Sequence, residues 1–149
     1  MRHVGGCHCG NIDVEFETEI DPAVIEVRAC QCRFCRKHNS RAVADPAGRA
    51  AIRVADEAQL QRYRFGLGTA TYLLCRRCGV YVAALTEGES EPRAIVIVNA
   101  LDDAARFSRA PVAVDYGAEN RAQRVARRRA RWTPATLAIG GAQAPSAGG

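Results

Sequence analysis

Apolar and polar residues alternate strictly in several short segments, a pattern typical of half-buried β-strands. The clearest segment is residues 11–17, in which Ile12, Val14 and Phe16 alternate with acidic side chains. Further strands, each bounded by turn-forming or charged residues, are predicted at residues 23–29, 49–54, 60–65, 69–75, 80–85 and 93–98. The pattern therefore predicts a mainly β protein of short strands.

One longer segment, residues 119–132, has the period of an α-helix. Ala122, Val125 and Trp132 would form its apolar stripe. Arginines would occupy the rest of its surface, at Arg121, Arg124, Arg127, Arg128, Arg129 and Arg131. After Pro134 the chain becomes rich in Ala, Gly and Ser, so we predict a single domain over residues 1–134 and a flexible tail over residues 135–149.

Composition excludes a membrane-spanning protein and places few other limits on function. The 149 residues are 48% hydrophobic and 25% charged, and no apolar run approaches the length of a membrane span. The first six residues lack the apolar segment of a signal peptide, so we expect a cytoplasmic protein with reduced thiols. The net charge of +5 resides largely in the arginine-rich helix. A solvated helix face is favoured over a nucleic-acid contact, because no row of aromatic residues for stacking bases is evident.

The seven cysteines carry the chemistry of the chain. They form tight groups rather than dispersed pairs, and their number is odd, so a complete disulfide framework would leave one over. Thiols two or three residues apart are poorly placed to bridge each other but well placed to converge on one metal ion. We predict Zn²⁺; the alternative is a set of free or redox-active thiols. The groups are Cys7 and Cys9, then Cys30, Cys32 and Cys35, then Cys75 and Cys78.

Seven ligands divide naturally into a closed site of four and an open site of three. Structural zinc takes four protein ligands, whereas catalytic zinc takes three and leaves one position for water or substrate. The two outer pairs make the four-ligand site, and Cys30, Cys32 and Cys35 make the open one. His38, three residues after Cys35, is either a further ligand, a general base or a surface residue. His8 is expected to point away from the metal.

The ordered motifs resemble the glutathione-dependent formaldehyde-activating enzyme family. The resemblance covers roughly residues 3–105. Gln31 stands where many members have histidine, and Asn39-Ser40 replaces a glycine common after the Arg-Lys pair. The matching segments are Gly6-Cys7-His8-Cys9-Gly10-Asn11-Ile12, Cys30-Gln31-Cys32-Arg33-Phe34-Cys35-Arg36-Lys37, Cys75-Arg76-Arg77-Cys78-Gly79 and Asn99-Ala100-Leu101-Asp102-Asp103.

This resemblance implies a β-tent fold of short, coiled, antiparallel sheets stapled by two zinc ions. The one C-terminal helix is predicted from periodicity, and the arginine-rich end does not match the family. The resemblance also implies a carbon–sulfur lyase that adds a thiol such as glutathione to a small aldehyde, formaldehyde in the family, with Cys30, Cys32 and Cys35 at the catalytic zinc. From their position, Arg33, Arg36 and Lys37 are hypothetical contacts for the carboxylates of glutathione. A homo-oligomer is compatible with the sequence. The alternatives are a non-catalytic zinc-binding module, a nucleic-acid contact through the basic helix, and a redox role for Cys32 and Cys35.

Overall fold

The computed structural model describes residues 1–86, 88 and 90–140. In these residues the chain forms eleven strands and two α-helices, so the predicted mainly β fold with one longer helix is confirmed. The helices are α1 (Arg33–His38) and α2 (Arg121–Arg131). The strands are β1 (Arg2–Gly6), β2 (Ile12–Glu17), β3 (Arg28–Cys30), β4 (Ala42–Val43), β5 (Arg49–Val54), β6 (Leu60–Tyr63), β7 (Ala70–Cys75), β8 (Tyr81–Thr86), β9 (Arg93–Ile97), β10 (Val112–Val114) and β11 (Thr133–Ile139).

The strands form one branched sheet. Its main path runs β1-β2-β5-β11-β9-β4-β3-β10, and β9 also pairs with β8, which continues through β7 to β6. Most neighbours are antiparallel, as expected, but β11 runs parallel to β5 and β10 runs parallel to β3. The main path and the branch therefore meet at β9.

A strand that borders solvent has alternating apolar and polar residues, as β2 does, whereas the central strand β8 is buried along almost its whole length. In β2 the side chains of Ile12, Val14 and Phe16 are buried, whereas the residues between them are only partly covered. In β8 the first five residues are all buried, since both faces of this strand are covered. The largest apolar cluster joins β2, β5, β8 and β9, and it also includes Cys7 and Cys75.

Strand β1 was not predicted, because its second half is Gly5-Gly6 rather than an apolar alternation. A Cβ at Gly5 would lie 2.1 Å from the carbonyl oxygen of Ala100, so only glycine allows this close approach. The approach forms a β-bridge between Gly5 and Leu101. His3 in β1 is buried, and its Nδ1 lies 2.8 Å from Oδ2 of Asp103. The Leu101-Asp102-Asp103 segment thus fastens β1 to the core.

The predicted domain boundary at residue 134 is wrong. Residues 135–139 belong to β11, which pairs in register with β5 from Ala135↔Ala50 to Ile139↔Val54. An alanine-rich segment forms this strand because the neighbouring backbone supplies its hydrogen bonds. Residues 141–149, the rest of the predicted tail, lie outside the described residues.

No helix in the described part of the chain is long and apolar enough to cross a lipid bilayer.

Candidate metal and active site

Four thiols from two distant turns converge on one point. Cys7 and Cys9 lie in the turn between β1 and β2, Cys75 ends β7, and Cys78 lies in the turn before β8. Their Sγ atoms all lie within 4.8 Å of one another. We call these residues the four-thiol cluster.

The sulfur spacing of this cluster fits tetrahedral zinc. Zinc–sulfur bonds of about 2.3 Å at tetrahedral angles place neighbouring sulfurs about 3.8 Å apart. The Sγ atoms of Cys7 and Cys9 are 3.7 Å apart, and those of Cys9 and Cys75 are 3.5 Å apart. The donor set and its dimensions therefore suit one Zn²⁺.

Backbone geometry holds the four thiols in place. The amide of Ile12 donates to Sγ of Cys7 at 3.2 Å, and the amide of Gly79 donates to the carbonyl of Cys75 at 2.8 Å. Gly79 has φ +81°, a conformation that a residue with a side chain rarely adopts, so the turn after Cys78 requires glycine. The CxxCG motif thus folds into the turn that its sequence indicates.

The thiols of this cluster differ in acidity. Burial raises the pKa of Cys7 to about 12. Burial also opposes ionisation of Cys78, but hydrogen bonds from the backbone amides of Val80 and Cys9 and from neighbouring thiols outweigh it and lower the pKa of Cys78 to about 6. Additional thiolates at this buried point need a cation, which a bound metal supplies.

The other three cysteines form a second, more local cluster, which we call the three-thiol cluster. Cys30 ends β3, Cys32 is the N-cap of α1, and Cys35 lies in the first turn of that helix. Their Sγ atoms also lie within 4.8 Å of one another. The sulfur of Cys32 accepts a hydrogen bond from the amide of Cys35 at 3.4 Å. The C-x-C-x-x-C spacing therefore wraps around the start of a short helix.

This arrangement favours a thiolate at Cys30. A hydrogen bond from the Cys35 thiol lowers the pKa of Cys30 to about 6, with further help from the backbone amide of Cys32 and the charge of Arg127. The same hydrogen bond, together with burial, raises the pKa of Cys35. The donors match the thiolate ligands that zinc prefers.

Within the described residues, the three-thiol cluster has no fourth protein ligand. Among the His, Cys, Asp and Glu side chains of residues 1–86, 88 and 90–140, only the three cysteines converge there. His38 is exposed, and its ring lies 4.5 Å from the ring of Phe34 and 5.5 Å from that of Tyr81. His8 is exposed as well and takes no part in the four-thiol cluster. Three thiols with an open position are the ligand pattern of catalytic zinc.

Cys30 and Cys35 line a cavity of about 50 Å³. Its walls are mostly apolar and aromatic. The polar side chains among the lining residues are Arg28, Ser40, Tyr72, Tyr81, Tyr116, Arg127 and Arg128. A small substrate in this cavity would meet two of the three sulfurs, shielded from bulk water.

Helix α2 supplies the basic wall of this cavity, which the sequence analysis missed. The predicted apolar stripe faces the interior only at Trp132, which is 4% exposed: Val125 is 39% exposed, whereas Arg128 is only 6% exposed. The guanidinium of Arg127 lies 3.4 Å from the ring centroid of Tyr116 and pairs with Glu119 at 2.8 Å. Planar arginines packed on aromatic rings thus replace an apolar contact, which hydrophobic periodicity cannot detect.

The cations predicted to contact substrate do not line this cavity. Arg33, Arg36 and Lys37 are exposed side chains of α1, and none of them is among the residues that line the cavity. The helix itself is anchored through Phe34, whose ring packs against other aromatic side chains. They are Tyr63, Phe65, Tyr72 and Tyr81.

Comparison with known proteins identifies the motifs. The family model described as "Glutathione-dependent formaldehyde-activating enzyme" matches residues 2–118. Among solved structures, the crystal structure of a Rhodobacter sphaeroides protein is similar, with 33% sequence identity, coverage of 66% of this chain and 87% of that chain, and a TM-score of 0.48. The family match confirms the resemblance of the cysteine motifs, and it ends before α2 begins.

Proposed function

We propose that this chain, which belongs to the glutathione-dependent formaldehyde-activating enzyme family, joins a thiol such as glutathione to a small aldehyde such as formaldehyde, or catalyses the reverse cleavage. The observation that carries the proposal is the three-thiol cluster, whose sulfurs converge without a fourth protein ligand among the described residues. Two of these sulfurs line a partly enclosed cavity of about 50 Å³ that has room for a small substrate. This combination suits carbon–sulfur bond chemistry better than a purely structural metal site.

Zinc is the cofactor in this proposal, with one ion for each thiol cluster. The four-thiol cluster would hold a structural ion and the three-thiol cluster a catalytic one. When bound at the three-thiol cluster, Zn²⁺ would lower the pKa of a substrate thiol in its open position. A reducing compartment, the cytoplasm, is part of the proposal because the seven thiols must stay reduced to bind metal.

The reaction needs no oxidant or reductant. The sulfur of the substrate thiol forms a bond to the aldehyde carbon while the π bond of the carbonyl group breaks. The proton lost by the thiol is balanced by the proton that the former carbonyl oxygen gains. The product is a hemithioacetal, and the reverse reaction breaks the same carbon–sulfur bond.

The chain's own residues would position the reactants and exclude water. Ile95, Ile97 and Trp132 form apolar walls of the cavity, so a polar reaction there is shielded from solvent. The charge of Arg127 favours a thiolate at the edge of the cavity, as its effect on Cys30 indicates. Arg33, Arg36 and Lys37, exposed on α1, would contact only the outer part of a long thiol such as glutathione.

Exchange NMR of glutathione and formaldehyde tests the proposal, because it measures how fast the hemithioacetal forms and breaks at equilibrium. We expect zinc-loaded protein to accelerate this exchange above the spontaneous rate, and Cys32→Ser to abolish the acceleration. Gln31→Ala, a change at the exposed neighbouring residue, is the matched control and should keep it. A well-folded protein with two zinc ions and no acceleration would instead be a non-catalytic zinc-binding module.

A further inference from the structure

Arg128 is a buried guanidinium without an acidic partner. Its side chain is 6% exposed, and no carboxylate oxygen lies within 4.0 Å of it among the residues that the structure describes. Its Nε atom is buried and has no hydrogen-bond partner. A buried charge is normally paired or fully hydrogen-bonded, so this position suits an anion that the described residues do not supply.

The guanidinium is nevertheless held in a defined orientation. Its Nη1 donates to Oγ1 of Thr69, and its Cζ lies 4.7 Å from the centroid of the buried Trp132 ring. These contacts fix the plane of the group and leave the Nε–H edge unused. A preorganised, unpaired donor edge is what a binding site needs.

The charge around Arg128 is unbalanced. Arg124 and Arg127 are close enough to raise the positive potential at Arg128, and Glu119 is the acidic residue that offsets it. The carboxylate of Glu119 is already occupied, since it accepts hydrogen bonds from both Arg124 and Arg127. This wall therefore carries an excess of positive charge that a bound anion would neutralise.

A second unused donor lines the same cavity. The hydroxyl of Tyr81 is buried and has no hydrogen-bond partner, and the residue is 4% exposed. Its ring is fixed by edge contact with Phe34, at 5.1 Å between centroids. Tyr81 and Arg128 both line the cavity that Cys30 and Cys35 open onto.

We propose that Arg128 and Tyr81 form a carboxylate-binding subsite beside the three-thiol cluster, so that one of the two substrates is an acid whose carboxylate binds there. A carboxylate is planar, as the edge of a guanidinium is, and it accepts several hydrogen bonds at once. It also fits a cavity of about 50 Å³ with largely apolar walls. The subsite rests on the proposed function for its reaction, but carboxylate binding does not depend on turnover.

Either substrate could supply the carboxylate. Arg128 also lines a larger neighbouring cavity of about 280 Å³, together with Arg93 and Arg129. An acidic thiol with a bulky body would extend into that larger space. A small acidic aldehyde would be held in the smaller cavity alone.

Calorimetric titration of the zinc-loaded protein with matched pairs of ligands tests the subsite. The thiol pair is 3-mercaptopropionate and its neutral amide, and the aldehyde pair is glyoxylate and glycolaldehyde. We expect the charged member of at least one pair to bind about tenfold more tightly or better, as charge-assisted hydrogen bonds require. The pair that shows the preference identifies which substrate is the acid. Equal affinity within both pairs would overturn the proposal.

Variants test whether Arg128 and Tyr81 cause the preference for the charged ligand. Arg128→Met, which keeps the bulk of the side chain, should remove the preference without changing the affinity for the neutral ligand. Arg121→Met, at an exposed position of the same helix, is the control and should retain it. Tyr81→Phe removes one oxygen from the cavity and should reduce the preference about threefold or more. A preference that survives in Arg128→Met and in Tyr81→Phe would refute the subsite.

The two proposals can fail separately. A carboxylate preference without accelerated glutathione–formaldehyde exchange would leave the subsite standing and refute glutathione and formaldehyde as the substrates. Accelerated exchange with equal affinity for charged and neutral ligands would support the enzyme and refute the subsite. If Arg128→Met did not fold, the affinities of the native protein and of Tyr81→Phe for the charged and neutral ligands would still test the subsite.

Discussion

The two thiol clusters use the same ligand chemistry in different structural settings. The four-thiol cluster ties together segments far apart in the chain: Cys9 and Cys75 are 66 residues apart and their sulfurs are 3.5 Å apart. The three-thiol cluster is contained within six residues, Cys30 to Cys35. A metal in the first setting closes a long loop, whereas a metal in the second setting constrains only one helix start. The stability of the domain should therefore depend on the first cluster far more than on the second.

The two thiol clusters also differ in the residues that surround them. Cys7 and Cys75 belong to the main apolar core, and the turns around them supply backbone hydrogen bonds to the sulfurs. Cys30 and Cys35 face a cavity with arginines and tyrosines in its wall. A fourth thiol in one case and an open, charged cavity in the other separate a structural site from a reactive one.

Replacing Cys75 should produce the largest effect. Cys75→Ser removes one of four ligands from a fully buried position, and structural zinc contributes roughly 10–16 kcal/mol of apparent binding free energy in small domains. Because a domain's net stability is about 5–15 kcal/mol, we expect this variant to be largely unfolded. Circular dichroism and zinc content measure the outcome. A folded Cys75→Ser protein that retains both zinc ions would show that the four-thiol cluster is not a structural metal site.

The same substitution in the other cluster should leave the fold intact. Cys32→Ser removes one of three ligands at a partly exposed helix start, so we expect zinc per chain to fall from two to one. The melting temperature should change by only a few degrees, since no distant segments are released. Elemental analysis of anaerobically purified protein, with thermal unfolding, gives both values. Unchanged zinc content would mean that the three-thiol cluster does not bind zinc.

Replacing the exposed cations of α1 should have the smallest effect. Arg33→Ala, Arg36→Ala and Lys37→Ala each remove a solvent-exposed charge, and such charges contribute about 0–1 kcal/mol to an ion pair. We expect KM for glutathione to rise no more than about fivefold, with kcat unchanged. Steady-state rates at low and high salt check this, because an exposed contact is screened by salt. A much larger rise in KM for any one variant would place the carboxylate of the thiol at α1 instead of at Arg128.

Strands with a clear alternation were predicted well from the sequence. The predicted segment 49–54 coincides with β5, and the segment 11–17 differs from β2 by one residue. The segment 23–29 was predicted to contain a strand that runs into Cys30, and it does so only at its end, where β3 spans Arg28–Cys30. β4 and β10 are too short to show a period, and most of β11 was assigned to the tail because it follows Pro134 and contains two alanines. These strands depend on backbone pairing with distant partners, which leaves little trace in their own side chains.

The sequence by itself determined the two groups of thiols, because ligand spacing is a local property. A C-x-C or C-x-x-C segment brings its sulfurs to one side of a turn, whatever the remaining chain does. Counting the ligands then predicts one site of four and one of three, but only the tertiary structure brings the pair Cys7 and Cys9 to the pair Cys75 and Cys78. The division into a four-thiol and a three-thiol cluster was therefore predicted before any fold was known.

Only the tertiary structure decided what faces the open cluster. The direction of α2 depends on Glu119, Tyr116 and Trp132, which hold its arginines against the cavity and leave Val125 exposed. Hydrophobic periodicity assigns charged residues to solvent, because it has no means of counting a stacked or ion-paired arginine as buried. The grouping of neighbouring thiols is thus a local property, whereas the positive charge beside the open cluster arises from contacts between segments about ninety residues apart.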